Sequence, residues 1–346
     1  MCVADETTVI EHMVSSFLRS SAQLNTLQHS DAELVRLNEE MILAVTTDSI
    51  AEEIEHGLYD DPYMIGWMTV AVNCSDIAAV GASPLGLLLN QTLTYTLEPQ
   101  WVDEMQRGIN DASRRYAMPV LGGDTNYSVR LHMSATAIGI FIHGRTPVQR
   151  TGSSPGDHLY ASGRLGSGNA YAFQKLSGCA GQTNWFIPVP RMTEGALVSK
   201  YASSCMDTSD GLIAALDQLM AVNRFGFVLT SPPHTFLAAD ALEVCRAREL
   251  PHWFMLAGPH GEFELLFTLP VAHEEQFLDE ASSIGWQPLR LGTVTPEPQL
   301  MMPHPKHSIV SVDGARIRNI FTRSDRTLDW FLGELSQIEQ NWRMQS

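Results

Sequence analysis

The sequence is poor in cysteine and has no long hydrophobic run. Its five cysteines are odd in number and no two have Cys-x-x-Cys spacing, which argues against structural zinc and favours a reducing compartment. Apolar stretches such as residues 85–89 are far shorter than the roughly 20 residues that cross a bilayer, and the acidic first residues do not resemble a secretory signal. We therefore expect a cytoplasmic protein without a membrane partner.

Basic side chains are also scarce. Lysine and arginine together number 22 against 39 aspartates and glutamates, which gives a formal net charge of −17. A surface of this sign repels a nucleic-acid backbone, so we expect no nucleic-acid partner. Anionic substrates would have to be met locally, by metal ions or by a few basic residues.

Several common catalytic signatures are not supported. The histidines show no metal-ligand pattern such as His-Glu-x-x-His. The glycine-rich segment at residues 163–168 lies between a predicted strand and a predicted helix, but it fits neither the dinucleotide-binding nor the Walker A spacing. That segment suits either an anion at a helix N-terminus or a plain strand–helix turn.

The length of 346 residues favours about two domains. The first half has the pattern of helix, strand, helix, strand, helix, strand, strand, and a turn-rich segment at residues 150–157 marks a boundary. Strands and helices follow, and an amphipathic helix is predicted at residues 325–342. We therefore predict an α/β protein with units at residues 1–148 and 149–310 and a helical extension at residues 311–346.

Aspartates in four separate motifs are the most informative feature of the chain. Each motif lies where an apolar run meets a turn or a helix of small residues, so its carboxylate can reach a cleft. Carboxylates gathered in one cleft repel each other unless cations lie between them, and Mg²⁺ with a nucleotide polyphosphate is the common solution. The motifs are Thr46-Thr47-Asp48, Asn73-Cys74-Ser75-Asp76, Gly122-Gly123-Asp124 and Asp207-Thr208-Ser209-Asp210-Gly211.

Single motifs leave alternatives open. Gly122-Gly123-Asp124 follows a predicted strand and suits either a phosphate with its metal or an ordinary turn. Arg150 lies in a turn, where an arginine either grips a phosphate or forms a surface ion pair. Any one of the aspartates alone is more often a cap or turn residue than a ligand.

Six motifs in order resemble those of thiamine-monophosphate kinase, a family of the aminoimidazole ribonucleotide synthetase (PurM-like) superfamily. The resemblance implies a two-domain fold whose N-terminal strands form a barrel-like sheet across a homodimer, with ATP in the cleft between domains. The motifs are Thr46-Thr-Asp-Ser49, residues 71–82 around Asp76, Leu121-Gly-Gly-Asp-Thr125, residues 150–157, Asp207-Thr-Ser-Asp-Gly-Leu212 and Glu264-Leu-Leu-Phe-Thr268.

The resemblance also implies site residues, with Mg²⁺ and ATP as cofactors. Asp31 enters because it lies 17 residues before Asp48, at the second aspartate of the family's Gly-Asp-Asp motif. The implied metal ligands are Asp31, Thr47, Asp48, Asp76, Asp124, Asp207 and Asp210; the implied ATP contacts are Gly122, Gly123, Asp124, Arg150 and Ser209; and the implied catalytic residues are Asp76, Asp124 and Asp210.

The sequence departs from the family where the second substrate binds. The family's Gly-x-His-Phe is replaced near His56, its Gly-Gly-Glu-Asp-Tyr-Glu-Leu becomes residues 259–265, and one acid is lost at Ser30. We therefore expect an ATP- and Mg²⁺-dependent phosphotransferase acting on an unidentified small molecule other than thiamine phosphate. An ATP-dependent ligase or cyclase and a catalytically silent paralogue are the alternatives.

Overall fold

The computed structural model describes residues 6–177, 186–258, 260–305, 308–320 and 327–344. Two sheets, each packed against helices, organise the chain. The first sheet has strand order β1-β2-β5-β3-β4, in which only the β3–β4 pair is parallel. Its strands are β1 (Glu33–Asn38), β2 (Met41–Ser49), β3 (Ser83–Thr94), β4 (Val120–Ser128) and β5 (His132–Ile142).

Four helices accompany the first sheet, and α3 is the buried one. It begins at Pro62, where the fixed φ of proline suits the first helical position and the Asp61 side chain accepts a hydrogen bond from the Met64 amide at 2.9 Å. The helix ends at Ala79, just before Gly81 with its φ of +76°. The helices are α1 (Glu6–Val14), α2 (Ala51–Glu55), α3 (Pro62–Ala79) and α4 (Pro99–Arg115).

The second sheet has seven strands in the order β12-β11-β8-β10-β6-β9-β7. Its central strand pairs are antiparallel, and β8–β11 is a parallel pair. The strands are β6 (His158–Ala161), β7 (Ser204–Asp207), β8 (Gly226–Leu229), β9 (Leu265–Leu269), β10 (Leu289–Thr295), β11 (Leu300–His304) and β12 (Ser308–Val312).

Helices of the second half build its core, and the last of them packs back onto it. Phe331, Leu335 and Trp342 of α11 are buried in the same apolar cluster as the first residues of α7. The helices are α5 (Ser167–Leu176), α6 (Met192–Tyr201), α7 (Leu212–Asn223), α8 (Ala239–Arg248), α9 (Val271–Ser283), α10 (Gly314–Arg318) and α11 (Leu328–Met344).

The two halves meet at the end of α3. Ala78 and Ala79 are buried in an apolar cluster with residues of α6, β9 and α9. The contact is close because Gly195 has no side chain: a Cβ there would lie 2.1 Å from the carbonyl oxygen of Ala78. The C-terminal end of α3 is therefore fixed against the second half of the chain.

The structure agrees with the α/β prediction and with most predicted elements of the first half, and it adds others. Strand β1 and helices α6, α8 and α9 were not predicted. Gly122-Gly123-Asp124 was expected in a turn after a short strand, but it lies inside β4. Gly123 is needed there because a Cβ would lie 2.1 Å from the carbonyl oxygen of Leu89 on β3.

Other sequence-based assignments concern boundaries and the membrane. Within the described residues, no helix combines the length and the hydrophobicity that crossing a bilayer requires. The start of the tail helix predicted at residues 325–342 falls outside the described residues, and from Leu328 onward this segment is α11. The domain limits at residues 148 and 310 stay predictions.

We predict a homodimer formed by the first sheet, because β4 is an edge strand that is exposed along nearly its whole length and carries apolar side chains. Light scattering at micromolar concentration should give roughly twice the 38.2 kDa chain mass. Leu121→Lys should give a monomer, because it places a charge on that edge. The control Leu18→Lys changes an exposed leucine outside the sheet and should leave the dimer intact. A monomeric wild-type mass would contradict the prediction.

Candidate active site

Three aspartates from distant parts of the chain converge at one point. Asp31 precedes β1, Asp76 lies near the end of α3, and Asp207 is the last residue of β7. One carboxylate oxygen from each lies within 4.8 Å of the others. Oxygen ligands at this separation can be shared by a hard divalent cation such as Mg²⁺.

Neighbouring hydroxyl groups hold two of these carboxylates. Thr46 on β2 donates to Asp76 Oδ2 at 2.6 Å, and Ser75 on α3 donates to Asp207 Oδ2 at 2.6 Å. Ser209 donates to Asp207 Oδ1 at 3.0 Å. The carboxylates are therefore oriented before any cation arrives, and the Ser75–Asp207 bond joins the two halves of the chain at the site.

Asp31 is oriented by an arginine. Arg150 Nη2 donates to Asp31 Oδ1 at 2.8 Å, and its Nη1 donates to Gln218 Oε1 at 3.1 Å. Arg150 is mostly buried, so it is not the surface ion pair that the sequence left open. The other oxygen of Asp31 is shielded from solvent and has no hydrogen-bond partner within the described part of the chain. A buried carboxylate oxygen without a partner is costly, and a cation would satisfy it.

The electrostatics of the site are those of crowded acids. Burial, followed by the charges of Asp207, Asp48 and Asp31, raises the pKa of Asp76 well above its ordinary value. Burial and then the charge of Asp31 raise the pKa of Asp207 to about 7, although hydrogen bonds and Arg150 oppose the shift. Without a cation the site therefore tends to hold protons, since the charged forms are disfavoured.

Two more of the predicted residues lie next to this group. Asp48 is the last but one residue of β2 and lies beside Asn73, whose side-chain oxygen accepts from the Asp48 amide at 3.0 Å. Burial raises the pKa of Asp48. Asp210 is exposed just before α7 and lines, with Arg150 and Ser209, a cavity of about 230 Å³ that also includes Asp207. This cavity is the part of the site best placed for the phosphates of a nucleotide.

The remaining predicted residues are placed elsewhere. Thr47 is exposed and donates to the Ala135 carbonyl at 2.9 Å, so Thr46 rather than Thr47 contacts the carboxylates. Gly122, Gly123 and Asp124 are exposed on β4, which strands β5 and β3 separate from β2. Asp124 accepts from Asn126 at 2.7 Å. Within this chain Asp124 does not join the three clustered aspartates, and its metal and catalytic roles stay predictions.

Sequence reasoning missed several site residues. Thr46 and Ser75 lie inside two of the four aspartate motifs, but only the fold shows which hydroxyl donates to which carboxylate. Glu53 on α2 had no motif to mark it, and it lies close enough to Asp48 and Asp210 for their charges to act on it. After burial, which has the largest effect, those charges help to raise the pKa of Glu53 to about 7.

A larger cavity of about 830 Å³ lies in the second half of the chain. Glu262 forms part of its wall and is linked to the site, because Thr208 donates to Glu262 Oε1 at 2.9 Å. Tyr171 and Phe186 line the same wall, and their rings stack with centroids 5.8 Å apart. A cavity with aromatic walls and a few fixed polar groups is suited to a small organic molecule.

Comparisons with known proteins show which family this chain resembles. Residues 29–141 match the family described as "AIR synthase related protein, N-terminal domain". Thiamine-monophosphate kinase of Methanocaldococcus jannaschii is 28% identical over 282 residues, which are 76% of this chain and 86% of that protein. Thiamine-monophosphate kinase of Escherichia coli O157:H7 is 31% identical over 254 residues, which are 69% of this chain and 75% of that protein.

The chain belongs to the thiamine-monophosphate kinase family. It is therefore an ATP-dependent phosphotransferase, and its fold is the PurM-like fold of the AIR synthase-related superfamily. The solved structure "AaThiL complexed with AMPPCP and TMP" superposes with a TM-score of 0.73 and 23% identity, covering 86% of this chain and 93% of that one. At this identity the superposition supports the fold. The kinase assignment from the sequence is confirmed, and the silent-paralogue alternative is not supported.

The raised pKa of Asp207 predicts a pH-dependent stability. Because the pKa of Asp207 is about 7 in the folded protein and the ordinary pKa of an aspartate is 3.8, the folded protein retains a proton that the unfolded chain has released between these values. Stability should therefore fall as pH rises through that window. Asp207→Asn should reduce this fall by roughly a few kcal/mol at most.

The measurement is urea unfolding of the metal-free wild type and Asp207→Asn between pH 5 and pH 8. Added Mg²⁺ should restore wild-type stability at pH 8 and should have less effect on the variant. Equal pH slopes for the two proteins would contradict the assignment of a buried, protonated Asp207.

Proposed function

We propose that this kinase transfers the γ-phosphoryl group of ATP to the phosphate of thiamine monophosphate. The observation that carries the proposal is the convergence of Asp31, Asp76 and Asp207 within 4.8 Å beside the smaller cavity. In the reaction an oxygen of the acceptor phosphate forms a bond to the γ-phosphorus, the bond from that phosphorus to the β–γ bridging oxygen breaks, and ADP leaves with the electron pair. Such a transfer needs positioning and charge neutralisation more than covalent help from the protein.

The donor set fits Mg²⁺. Asp31, Asp76 and Asp207 offer carboxylate oxygens, and the unpartnered oxygen of Asp31 gives a direct reason for a cation at this place. Asp48, whose charge helps to raise the pKa of Asp76, and Asp210, which lines the smaller cavity with Asp207, would join through further ions or waters. Mg²⁺ would neutralise phosphate charge at the transferring group, and the side chains of Thr46 and Ser75 hold its ligands in place.

The protein groups on the nucleotide side would bind phosphate. Arg150 is fixed by Asp31 and Gln218, so its guanidinium faces the smaller cavity without paying further rotamer entropy. Ser209 lines the same cavity and lies near the start of α7, where helix amides favour an anion. We propose that these two residues contact the phosphates of ATP.

The identity of the acceptor is a separate step of the proposal. The altered residues near His56 and at 259–265 led to the expectation of a different acceptor, but the curated relatives bear the name thiamine-monophosphate kinase and offer no support for another one. The larger cavity, with its aromatic wall and the buried carboxyl of Glu262, has room for a two-ring phosphate ester. We therefore propose that this chain binds the acceptor of its relatives through partly different side chains.

A direct assay tests the reaction. With Mg²⁺, ATP and thiamine monophosphate, the protein should form thiamine diphosphate and ADP in equal amounts without free phosphate. Both products can be separated by chromatography. Stoichiometric free phosphate with a new bond in the organic product would indicate a ligase or cyclase, and absence of thiamine diphosphate at millimolar substrate would contradict the proposed acceptor.

Asp76→Asn tests the metal ligand that lies on the most buried helix. The substitution keeps the shape and removes one of the charges that crowd the site. Turnover should fall by about two orders of magnitude or more, since charge stabilisation of the transferring group is lost. The melting temperature without metal should be unchanged or higher because repulsion is relieved. The exposed Asp103 on α4 supplies the control Asp103→Asn, which should retain full activity. An active Asp76→Asn enzyme would rule out this role.

A further inference from the structure

Glu53 is a half-buried acid that has no part in the proposed phosphoryl-transfer machinery. It lies on α2, and its Oε2 is shielded from solvent without a hydrogen-bond partner within the described part of the chain. The charges of Asp48, Glu52 and Asp210 all act on it. A carboxylate in this setting is destabilised unless a positive group binds beside it.

Glu53 is not one of the three clustered acids. Among the described residues, only Asp31, Asp76 and Asp207 bring three ligand atoms within reach of one ion, and Glu53 is not among them. Among the residues that the structure describes, no lysine or arginine forms an ion pair with Glu53, whereas its neighbour Glu55 pairs with Arg130 at 2.6 Å. The occupant that completes the surroundings of Glu53 therefore comes from outside this part of the chain.

Aromatic side chains surround the same place. The Tyr59 amide donates to the Glu53 carbonyl at 3.2 Å, so the two residues are neighbours, and the charge of Glu53 contributes to the raised pKa of Tyr59. The Tyr59 hydroxyl lies 2.5 Å from His260 Nε2, and the His260 ring contacts Tyr171 and Phe186 with centroids 6.0 Å and 5.2 Å apart. Rings next to a carboxylate favour a flat organic cation, because both the ring faces and the carboxylate attract positive charge.

His260 adds a second unsatisfied polar atom. Its Nδ1 is buried and has no hydrogen-bond partner in the described ranges. Burial lowers the pKa of His260 to about 4, so the ring is neutral at physiological pH and adds no positive charge of its own. Tyr59, His260, Tyr171 and Phe186 thus offer hydrogen-bonding atoms and ring surfaces. The negative charge comes from Glu53 on α2, whose Oε2 is shielded and has no partner within the described residues.

We propose that Glu53 is a specificity-determining residue that binds the positively charged ring of the acceptor. The proposal rests on the proposed function: a phosphate ester whose phosphate lies at Asp48 and Asp210 places its organic body beside them, where Glu53 is. The acceptor class is then a phosphate ester of a cationic heteroaromatic ring, which includes the thiazolium of thiamine monophosphate. In the family, the Gly-x-His-Phe motif contacts the second substrate. Here the residues around His56 replace that motif, and Glu53 would bind the acceptor in its place.

The test compares Glu53→Gln with the wild type and with Glu52→Gln, an exposed neighbour on the same helix. The probes are thiamine monophosphate and the neutral thiazole phosphate that lacks the quaternised ring nitrogen. Glu53→Gln should raise the KM and the calorimetric Kd for thiamine monophosphate about tenfold or more, since a charged contact is lost. The KM for ATP and the affinity for the neutral probe should stay within about twofold, and Glu52→Gln should behave as the wild type.

The outcomes separate this proposal from the proposed function. Wild-type affinity of Glu53→Gln for thiamine monophosphate, with turnover intact, would overturn the role of Glu53 and leave the kinase reaction standing. A raised Mg²⁺ requirement without a change in acceptor affinity would make Glu53 a metal-site residue and would also overturn it. If the wild type binds no thiamine monophosphate, both the acceptor and this role fail, while stabilisation by Mg·ATP would still mark a kinase. Glu53→Asp, which keeps the charge, should recover part of the affinity, and its melting temperature controls for folding.

Discussion

The close contact between the backbones of α3 and α4 is the constraint on which the site depends. A Cβ on Gly66 of α3 would lie 1.9 Å from a carbonyl oxygen of α4, and a Cβ on Gly108 of α4 would lie 2.0 Å from a carbonyl oxygen of α3. The two glycines thus let the helices approach in both directions. Because α3 is held along almost its whole length, Asp76 near its end has little freedom to move away from the other acids.

Packing and electrostatics oppose each other at this point. The Gly195 contact presses the end of α3 onto the second half of the chain, and the Ser75–Asp207 hydrogen bond crosses the same junction. The aspartates that this junction brings together would otherwise separate, since their charges repel. The free energy gained by burying the apolar core therefore offsets the repulsion between these carboxylates. A rigid scaffold commonly stabilises a preorganised ionic site in this way.

Local sequence patterns predicted the elements that carry the acids better than the arrangement of the acids. The apolar run before Asp48 and the capped start of α3 are short-range signals, and both elements form where they were expected. Gly122-Gly123-Asp124 was misplaced because a glycine pair typical of turns also suits a strand that another backbone approaches closely, here at Leu89. Glu53 could not be found from the sequence, because no motif marks it and because Asp210, one of the charges that act on it, lies in a distant part of the chain.

The clustered aspartates and Glu53 lie on secondary-structure elements that differ greatly in how deeply they are buried. The aspartates come from α3, β7 and the strand end at Asp48, whereas Glu53 comes from a five-residue helix that has no fully buried residue. Substitutions on α2 therefore cost little core packing, while substitutions on α3 meet buried surroundings and, at Gly66, a backbone contact that admits only glycine. Substitutions on α2 can therefore change which acceptor binds while the residues that transfer the phosphoryl group stay unchanged. Proteins with this fold can thus acquire new substrates without first losing their reaction.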